Sequence, residues 1–244
     1  MLKENSKTTN LTPGLYLVPT PIGNLADLTD RARQILSQSN RILAEDTRRT
    51  QKLLQYIGIK KSLISCHEYN EKRRIQSVIL AIKNGEALSL VSDSGMPTLS
   101  DPGFPLVRSL IAEGIHVEAL PGASVVPTAL AVSGLPTDRF IFEGFFPRAK
   151  GKAKKLAESW KEEKRTIIFF ESPYRIAKTL NLLFEILSNR KLVICRELTK
   201  LHEEIIRSDL ETLSKESKNR QWKGEITVVL EGCGKKKNPN KNFE

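Results

Sequence analysis

Short apolar runs of strand type alternate with helix-period segments from one end of this chain to the other. No other feature leaves so few folds open: the pattern is that of an α/β protein with mainly parallel strand pairing. Residues 15–20 (LYLVPT) read as a strand, 27–37 as a helix with Leu28, Ala32, Ile35 and Leu36 on one face, 41–46 as a strand, and 47–57 as a helix stopped by Gly58. A strand over 62–67, a helix over 71–84 stopped by Gly85, a strand over 87–93, a helix ending at Gly114 and a strand over 116–121 follow. The segment PGASVVPTALAVSGL opens a helix of small residues. Strands at 139–146, 165–172, 191–198, 203–208 and 225–232 come after it, with a lysine-rich helix, a helix over 173–187 and a short one near 209–217 between them. In 244 residues this predicts two α/β domains, 15–124 and 125–233, with a ligand cleft between them, because sites favour domain interfaces and the carboxyl ends of strands. Residues 1–14 are expected to be a flexible leading segment and 234–244 a flexible basic tail.

The formal net charge of +11, with a pI near 9.6, points to a polyanionic partner. Basic residues gather at 41–52, at 148–165 and at 235–241. The same clusters also suit solvated helix faces and a loose chain end. Cys66, Cys195 and Cys233 are odd in number and far apart, which suggests reduced structural thiols rather than a disulfide framework. His67, His116 and His202 are scattered, so no bound metal is expected. A polar start and the lack of a long apolar run predict a cytoplasmic protein that does not span a membrane. There is no GxxxxGK[ST], no GxGxxG after the first strand and no GxSxG, which argues against an NTPase, a dinucleotide-dependent dehydrogenase and a serine hydrolase of the nucleophile-elbow type.

What recurs instead is a loop of Pro, Gly and small residues at strand ends: PTPIGN after the first strand, DSGMPTLSDPG after the fourth and PGAS after the fifth. Three such loops at carboxyl ends converge on one edge of a parallel sheet. Gly lets a ligand approach the backbone, Pro fixes the loop in advance, and main-chain polar groups can hold a neutral or zwitterionic cofactor. Each loop alone could be no more than a βα turn, with Ser100, Asp101 or Ser124 capping the next helix.

Six segments, LYLVPTPIGNLADLTDRARQIL, AEDTRRTQKLL, SDSGMPTLSDPGFPLV, LPGASVVPTALAVSGL, FFESPYRI and RELTKLHEEIIR, closely resemble the ribosomal RNA small subunit methyltransferase I family, a branch of the tetrapyrrole methylase superfamily. The match runs in order from Leu15 to Gly232. The resemblance implies a tetrapyrrole methylase-like fold, S-adenosylmethionine as methyl donor and a homodimer. It further implies 2′-O-methylation of a cytidine in the decoding region of 16S rRNA, free or in the small ribosomal subunit. In the superfamily's small-molecule members the fourth-strand loop carries Gly-Asp-Pro, whereas this chain has Gly95, Met96 and Pro97. That departure fits a substrate other than a tetrapyrrole and leaves open the roles of Asp93 and Asp101. Longer members of the family continue into a further C-terminal segment; here the lysine tail, the 148–165 stretch or a dimer partner would have to grip RNA.

On that resemblance, the donor site is assigned to Pro19, Thr20, Pro21 and Gly23, to Asp93, Ser94, Gly95, Met96 and Pro97, and to Pro121, Gly122, Ala123 and Ser124. A ribose hydroxyl is weakly acidic, so a nearby base or cation would help its attack. Charged strand-end groups are Glu45, Asp46, Arg48 and Arg49 in the first half, and Glu171, Arg196, Glu197, Lys200 and His202 in the second. The catalytic assignment is Glu171, Arg175, Arg196 and Lys200. Plainer roles stand beside it: Asp46 as a helix cap, Glu171 paired with Arg175, and Glu197 paired with Lys200. A small-molecule precorrin or uroporphyrinogen methylase is the alternative enzyme, and a basic ribosome-binding protein that keeps the fold is the non-enzymatic one.

Overall fold

The computed structural model describes residues 11–234, so the basic run at 235–241 and most of the leading segment lie outside the described residues. The chain divides into two units, Met1–Ser124 and Val125–Glu244.

The first unit runs β1 (Gly14–Leu17), α1 (Asp30–Gln38), β2 (Arg41–Ala44), α2 (Thr47–Tyr56), β3 (Ser62–Ser65), α3 (Glu71–Lys83), β4 (Ala87–Val91), α4 (Phe104–Ala112) and β5 (Val117–Ala119). Its strands stand in the order β3-β2-β4-β1-β5, and every neighbouring pair is parallel. β1 and β4 are buried at every position because helices cover both faces of the sheet. Tyr16, Val18, Ile42, Ala44 and Val91 pack with α1 and α2 through Ala32, Ile35, Leu36, Leu53 and Leu54. Leu15, Leu17, Leu43, Leu88 and Leu90 pack on the other face with α3 and α4 through Val78, Ile82, Leu106 and Leu110.

That division has a topological consequence. The chain leaving β1 crosses over β4 to reach β2 by way of α1, and the chain leaving β4 crosses over β1 to reach β5 by way of α4. Neighbouring strands therefore send their connections to opposite faces, which opens a crevice above their carboxyl ends, the usual ligand position in open α/β sheets.

The second unit runs α5 (Val125–Ser133), β6 (Phe140–Phe145), α6 (Lys150–Ser159), β7 (Thr166–Glu171), α7 (Ile176–Leu187), β8 (Lys191–Arg196), β9 (Glu204–Asp209), α8 (Leu210–Glu216) and β10 (Ile226–Leu230). Its sheet order is β6-β7-β10-β8-β9. The α/β reading holds, but mainly parallel pairing does not extend to this half. Only β6 pairs with β7 in parallel; β7–β10, β10–β8 and β8–β9 are antiparallel. Residues 197–203 between β8 and β9 are too few for a parallel crossover, which takes roughly a dozen residues or more, so that pair closes as a hairpin. β7 and β8 keep the direction expected of a βαβ unit, with β10 inserted antiparallel between them. Phe146, Trp160 and Phe169 stack at the centre of this core, ring centroids 5.4–5.8 Å apart.

Helix ends differ from expectation in three places. α1 begins at Asp30 behind an Thr29 cap, and 25–27 form a separate 3-10 turn capped by Asn24. α4 starts after Gly103, at φ +122°, with no side-chain cap from Ser100 or Asp101. α7 starts at Ile176, because Pro173 sits in the turn ahead of it. Cys66, Cys195 and Cys233 are free thiols, and burial pushes Cys66 and Cys195 up to about 11, which leaves them unreactive. No helix among the described residues is long and apolar enough to cross a membrane.

Candidate functional site

Three loops of the first unit meet at the carboxyl edge of its sheet. Thr20 and Gly95 form an isolated antiparallel bridge, Thr20 N donating to Gly95 O at 2.9 Å and Gly95 N to Thr20 O at 3.0 Å. The Thr20 hydroxyl donates to Ser92 O at 3.1 Å, and the Ser92 hydroxyl to Gly95 O at 3.2 Å. The loops after the adjacent strands β1 and β4 are thereby stitched together across the crevice. A side chain on Gly95, at φ +86°, would bring its Cβ within 3.3 Å of Ile22 and 3.7 Å of Ala123 O. One on Gly122 would lie 2.9 Å from Pro19. Glycine at 95 and 122 is thus what lets the third loop, after β5, close against the other two.

Of the assigned donor residues, Pro19, Thr20, Gly95 and Pro97 are buried in this junction, and Pro21, Asp93, Ser94, Met96, Ala123 and Ser124 are half-buried around it. Pro121 and Gly122 are exposed at its edge. Gly23 lies in the exposed turn leading to the Asn24 cap. Thr98 (φ +75°) and Ser100 (φ +65°) hold left-handed backbone in the continuing β4 loop, a strained conformation for residues with side chains.

Acids crowd the same edge. Asp93 Oδ1 accepts from Asp46 N at 3.1 Å, and Glu45 Oε2 accepts from Asp93 N at 3.2 Å, so the ends of β2 and β4 hold each other through their carboxylates. Arg49 lies 3.5 Å from Asp93, and Arg48 2.7 Å from Asp46. Asp46 caps α2 through Arg48 N. The Arg48 hydrogen bonds hold its carboxyl well below the usual range, whereas burial raises Glu45 and Asp93. Burial first, and Glu45 second, push Asp101 up to about 7.

An acid whose folded pKa lies above its unfolded value keeps its proton longer in the folded chain, so stability is highest below the unfolded pKa and falls as pH rises to the folded one. For Asp101 that window runs from 3.8 to about 7. Asp101→Asn removes the titration. Its advantage over the parent chain is expected to grow by about 1–2 kcal/mol between pH 4 and pH 8, the shift being discounted for partial exposure. Urea unfolding at the two pH values measures this; an advantage that does not change with pH assigns the effect to another group.

Beside the junction, in the first unit, lies a cavity of about 550 Å³ between the ends of β2 and β3 and the start of α4. Glu45, His67, Tyr69, Glu71, Asp101 and Phe104 are among the residues that line it. Buried Glu71 accepts from Gly103 N at 2.7 Å and so fixes the DPGFP loop. The sequence reading passed over this wall. Its signal was SCHEYNEKRR, a strand end followed by a histidine, an aromatic residue and three cations in the first turn of a helix, where the macrodipole disfavours them.

In the second unit Glu171 and Arg196 end β7 and β8 and both pair with Ile226 of β10, which puts them on one row two strands apart, roughly 10 Å. They do not join one hydrogen-bonded group. The Glu171 side chain is 1% exposed, accepting from Ser172 N at 2.7 Å and from the Thr179 hydroxyl at 2.5 Å, with Arg175 at 3.3 Å. Arg175 also donates to Phe146 O and Pro147 O at 3.1 and 2.8 Å. Arg196 pairs with Glu204 at 3.0 Å, and Lys200 lies 3.0 Å from both Glu197 and Glu225. The β8–β9 turn holds left-handed backbone at Glu197 (φ +51°) and Thr199 (φ +65°), and Glu197 is so close to Gly224 that a Cβ there would lie 2.5 Å from it.

Residues 14–214 match the family model described as Tetrapyrrole (Corrin/Porphyrin) Methylases. The chain is 48% identical over 218 residues to the Ribosomal RNA small subunit methyltransferase I of Thermotoga maritima, covering 89% of this chain and 98% of that relative. It is 47% identical over 225 residues to the protein of the same name from Halalkalibacterium halodurans, covering 92% of this chain and 78% of that one. Among solved structures, that of the methyltransferase CobJ shares the fold with a TM-score of 0.69 at 16% identity, covering 91% of this chain and 95% of that one.

Proposed function

The chain belongs to the tetrapyrrole methylase family, in its ribosomal RNA small subunit methyltransferase I branch. From that premise we propose that it transfers the methyl group of S-adenosylmethionine to the ribose 2′-hydroxyl of a cytidine in the decoding region of 16S rRNA, acting in the cytoplasm as a homodimer. The observation that carries the reading is the stitched junction of three strand-end loops at the topological switch point.

The residues present suit the donor. Glycine at 95 and 122 keeps the edge free of side chains, and Glu45, Asp46 and Asp93 give it the negative charge that a sulfonium and an ammonium group favour. Thr20, Gly95, Met96, Pro97, Gly122 and Ala123 would hold it. When bound, S-adenosylmethionine supplies an electrophilic methyl carbon. The chain's own work is positioning, because in-line displacement demands alignment of the acceptor oxygen. Arg196 at the end of β8 and Lys200 in the β8–β9 turn are the cations this reading assigns to an alkoxide or phosphate, which would take them from their carboxylate partners Glu204, Glu197 and Glu225. Glu171, sealed from solvent, acts in this reading as a positioning residue that holds Arg175 and the 172–175 turn. The +11 charge serves the RNA, and Met96 in place of the superfamily's acid weighs against a tetrapyrrole.

Labelled S-adenosylmethionine incubated with small ribosomal subunits, followed by mapping of ribose methylation, tests the reading. Label is expected at a single cytidine 2′-oxygen. RNA affinity is expected to fall steeply with ionic strength, by about 10³-fold or more between 50 and 200 mM salt if six or more phosphates are contacted. Label in a uroporphyrinoid and none in rRNA overturns the proposal.

A further inference from the structure

The cavity beside the loop junction combines features that the donor site does not use. Tyr69 is 89% exposed and Phe104 62% exposed, and both line it. Two large aromatic rings exposed to solvent along a cavity offer stacking faces, and an unstacked nucleobase is the ligand such faces fit. The Tyr69 ring meets His67 edge-on, centroids 6.1 Å apart. His67 Nδ1 is buried and has no hydrogen-bond partner among the described residues, although its ring lines the cavity.

The cavity lining itself is acidic, with Glu45, Glu68, Glu71 and Asp101, and the cations stand outside it at the starts of α2 and α3. Arg48 and Arg49, with side chains 87% and 64% exposed, stand in the first turn of α2, and Lys72 and Arg73 in the first turn of α3. Lys72 and Arg73 have no ion-pair partner among the described residues. Four cations at two helix starts run against the helix dipoles and suit a phosphate backbone instead. Of the lining residues, Glu45 and Asp101 carry carboxyls that offer acceptors to an exocyclic amino group, the group that distinguishes cytosine from uracil on this edge. The volume of about 550 Å³ lies in the range of small-ligand sites.

We propose that this cavity seats one unstacked cytosine nucleotide of the acceptor RNA, with Tyr69 and Phe104 giving stacking faces, Glu45 and Asp101 receiving its amino group, and Arg48, Arg49, Lys72 and Arg73 holding its flanking phosphates. The inference rests on the rRNA-methylation reading and names the part of the first unit that recognises the base.

The test assays the full chain and its Tyr69→Ala, Tyr69→Phe and Phe104→Ala variants on small ribosomal subunits, with donor affinity measured by calorimetry on each. A further arm uses subunits carrying uridine in place of the methylated cytidine. Tyr69→Ala is expected to lower kcat/KM by about 10- to 100-fold, the size of a lost stacking face, with donor affinity unchanged and Tyr69→Phe close to the parent. The parent chain is expected to be at least about 10-fold slower on uridine. If the parent labels no rRNA, the functional reading itself fails. If it labels rRNA while Tyr69→Ala and Phe104→Ala keep full activity, or if cytidine and uridine react alike, the nucleotide seat is overturned and the enzyme reading stands.

Discussion

Gly95→Val is expected to weaken S-adenosylmethionine binding at least about 100-fold, which corresponds to about 2.7 kcal/mol. The backbone at 95 has φ +86°, where a β-branched residue is strained by about 1–2 kcal/mol or more. Its Cβ would already lie 3.3 Å from Ile22, and the further methyl groups have the Ala123 carbonyl on the other side. Relief requires the 92–97 loop to move, and movement breaks the paired hydrogen bonds with Thr20 that join the β1 and β4 ends. Gly95→Ala should fall between the two, because it brings the strain with little of the bulk. Isothermal titration with a parallel thermal melt separates donor loss from unfolding. Undiminished affinity in a folded Gly95→Val chain would falsify the placement of this loop in the donor site.

Glu171 gives the second large effect, and its two substitutions part in an informative way. Glu171→Ala leaves Arg175, the Thr179 hydroxyl and Ser172 N without their shared acceptor, a side chain that is 1% exposed. Breaking a buried pair from one side costs about 3–5 kcal/mol, read as a lower urea midpoint. Methyl transfer should fall with it, while donor affinity, which the proposed site assigns to loops of the first unit, should stay near the parent value. Glu171→Gln keeps an oxygen for Ser172 N and an amide for Thr179, so it is expected to lose less than half as much stability. If Glu171 only positions Arg175 and the turn, Glu171→Gln retains most of kcat. A folded Glu171→Gln chain with no single-turnover methyl transfer gives the carboxylate itself the proton-accepting role.

Element order and type were legible in the sequence because the chain changes period cleanly, from the mainly apolar run ALSLV to the helical face of Leu106 and Leu110. Strand direction in the second half was less legible. EITVVLEG reads the same in either direction, and only the spacing between REL and EEI betrays the hairpin that forces antiparallel pairing. The three Gly/Pro loops stood out by composition, and the structure adds what composition lacks, the Thr20–Gly95 bridge across the switch point. Glu171 shows the limit of reading charges at strand ends. A carboxylate just past an apolar strand looks solvent-facing in one dimension, yet its fate is decided by Thr179, eight residues on, whose hydroxyl draws it under α7. His67, Tyr69 and Phe104 were passed over because they come from two separate segments, and only folding makes them walls of one space.

The slot that β10 occupies has a meaning for how the chain is made. The first sheet is complete once residues up to Ala119 are available, since all five of its strands lie before that point. The second is not: Ile226–Leu230, which pairs with both β7 and β8, is the last strand in sequence among the described residues. Until it is made, the apolar strands TIIFFE and KLVICR each expose an unpaired inner edge, a state open to mispairing with other chains. Synthesis from the N-terminus therefore supplies every strand of the sheet that carries the glycine loops before the strand that joins the two halves of the other.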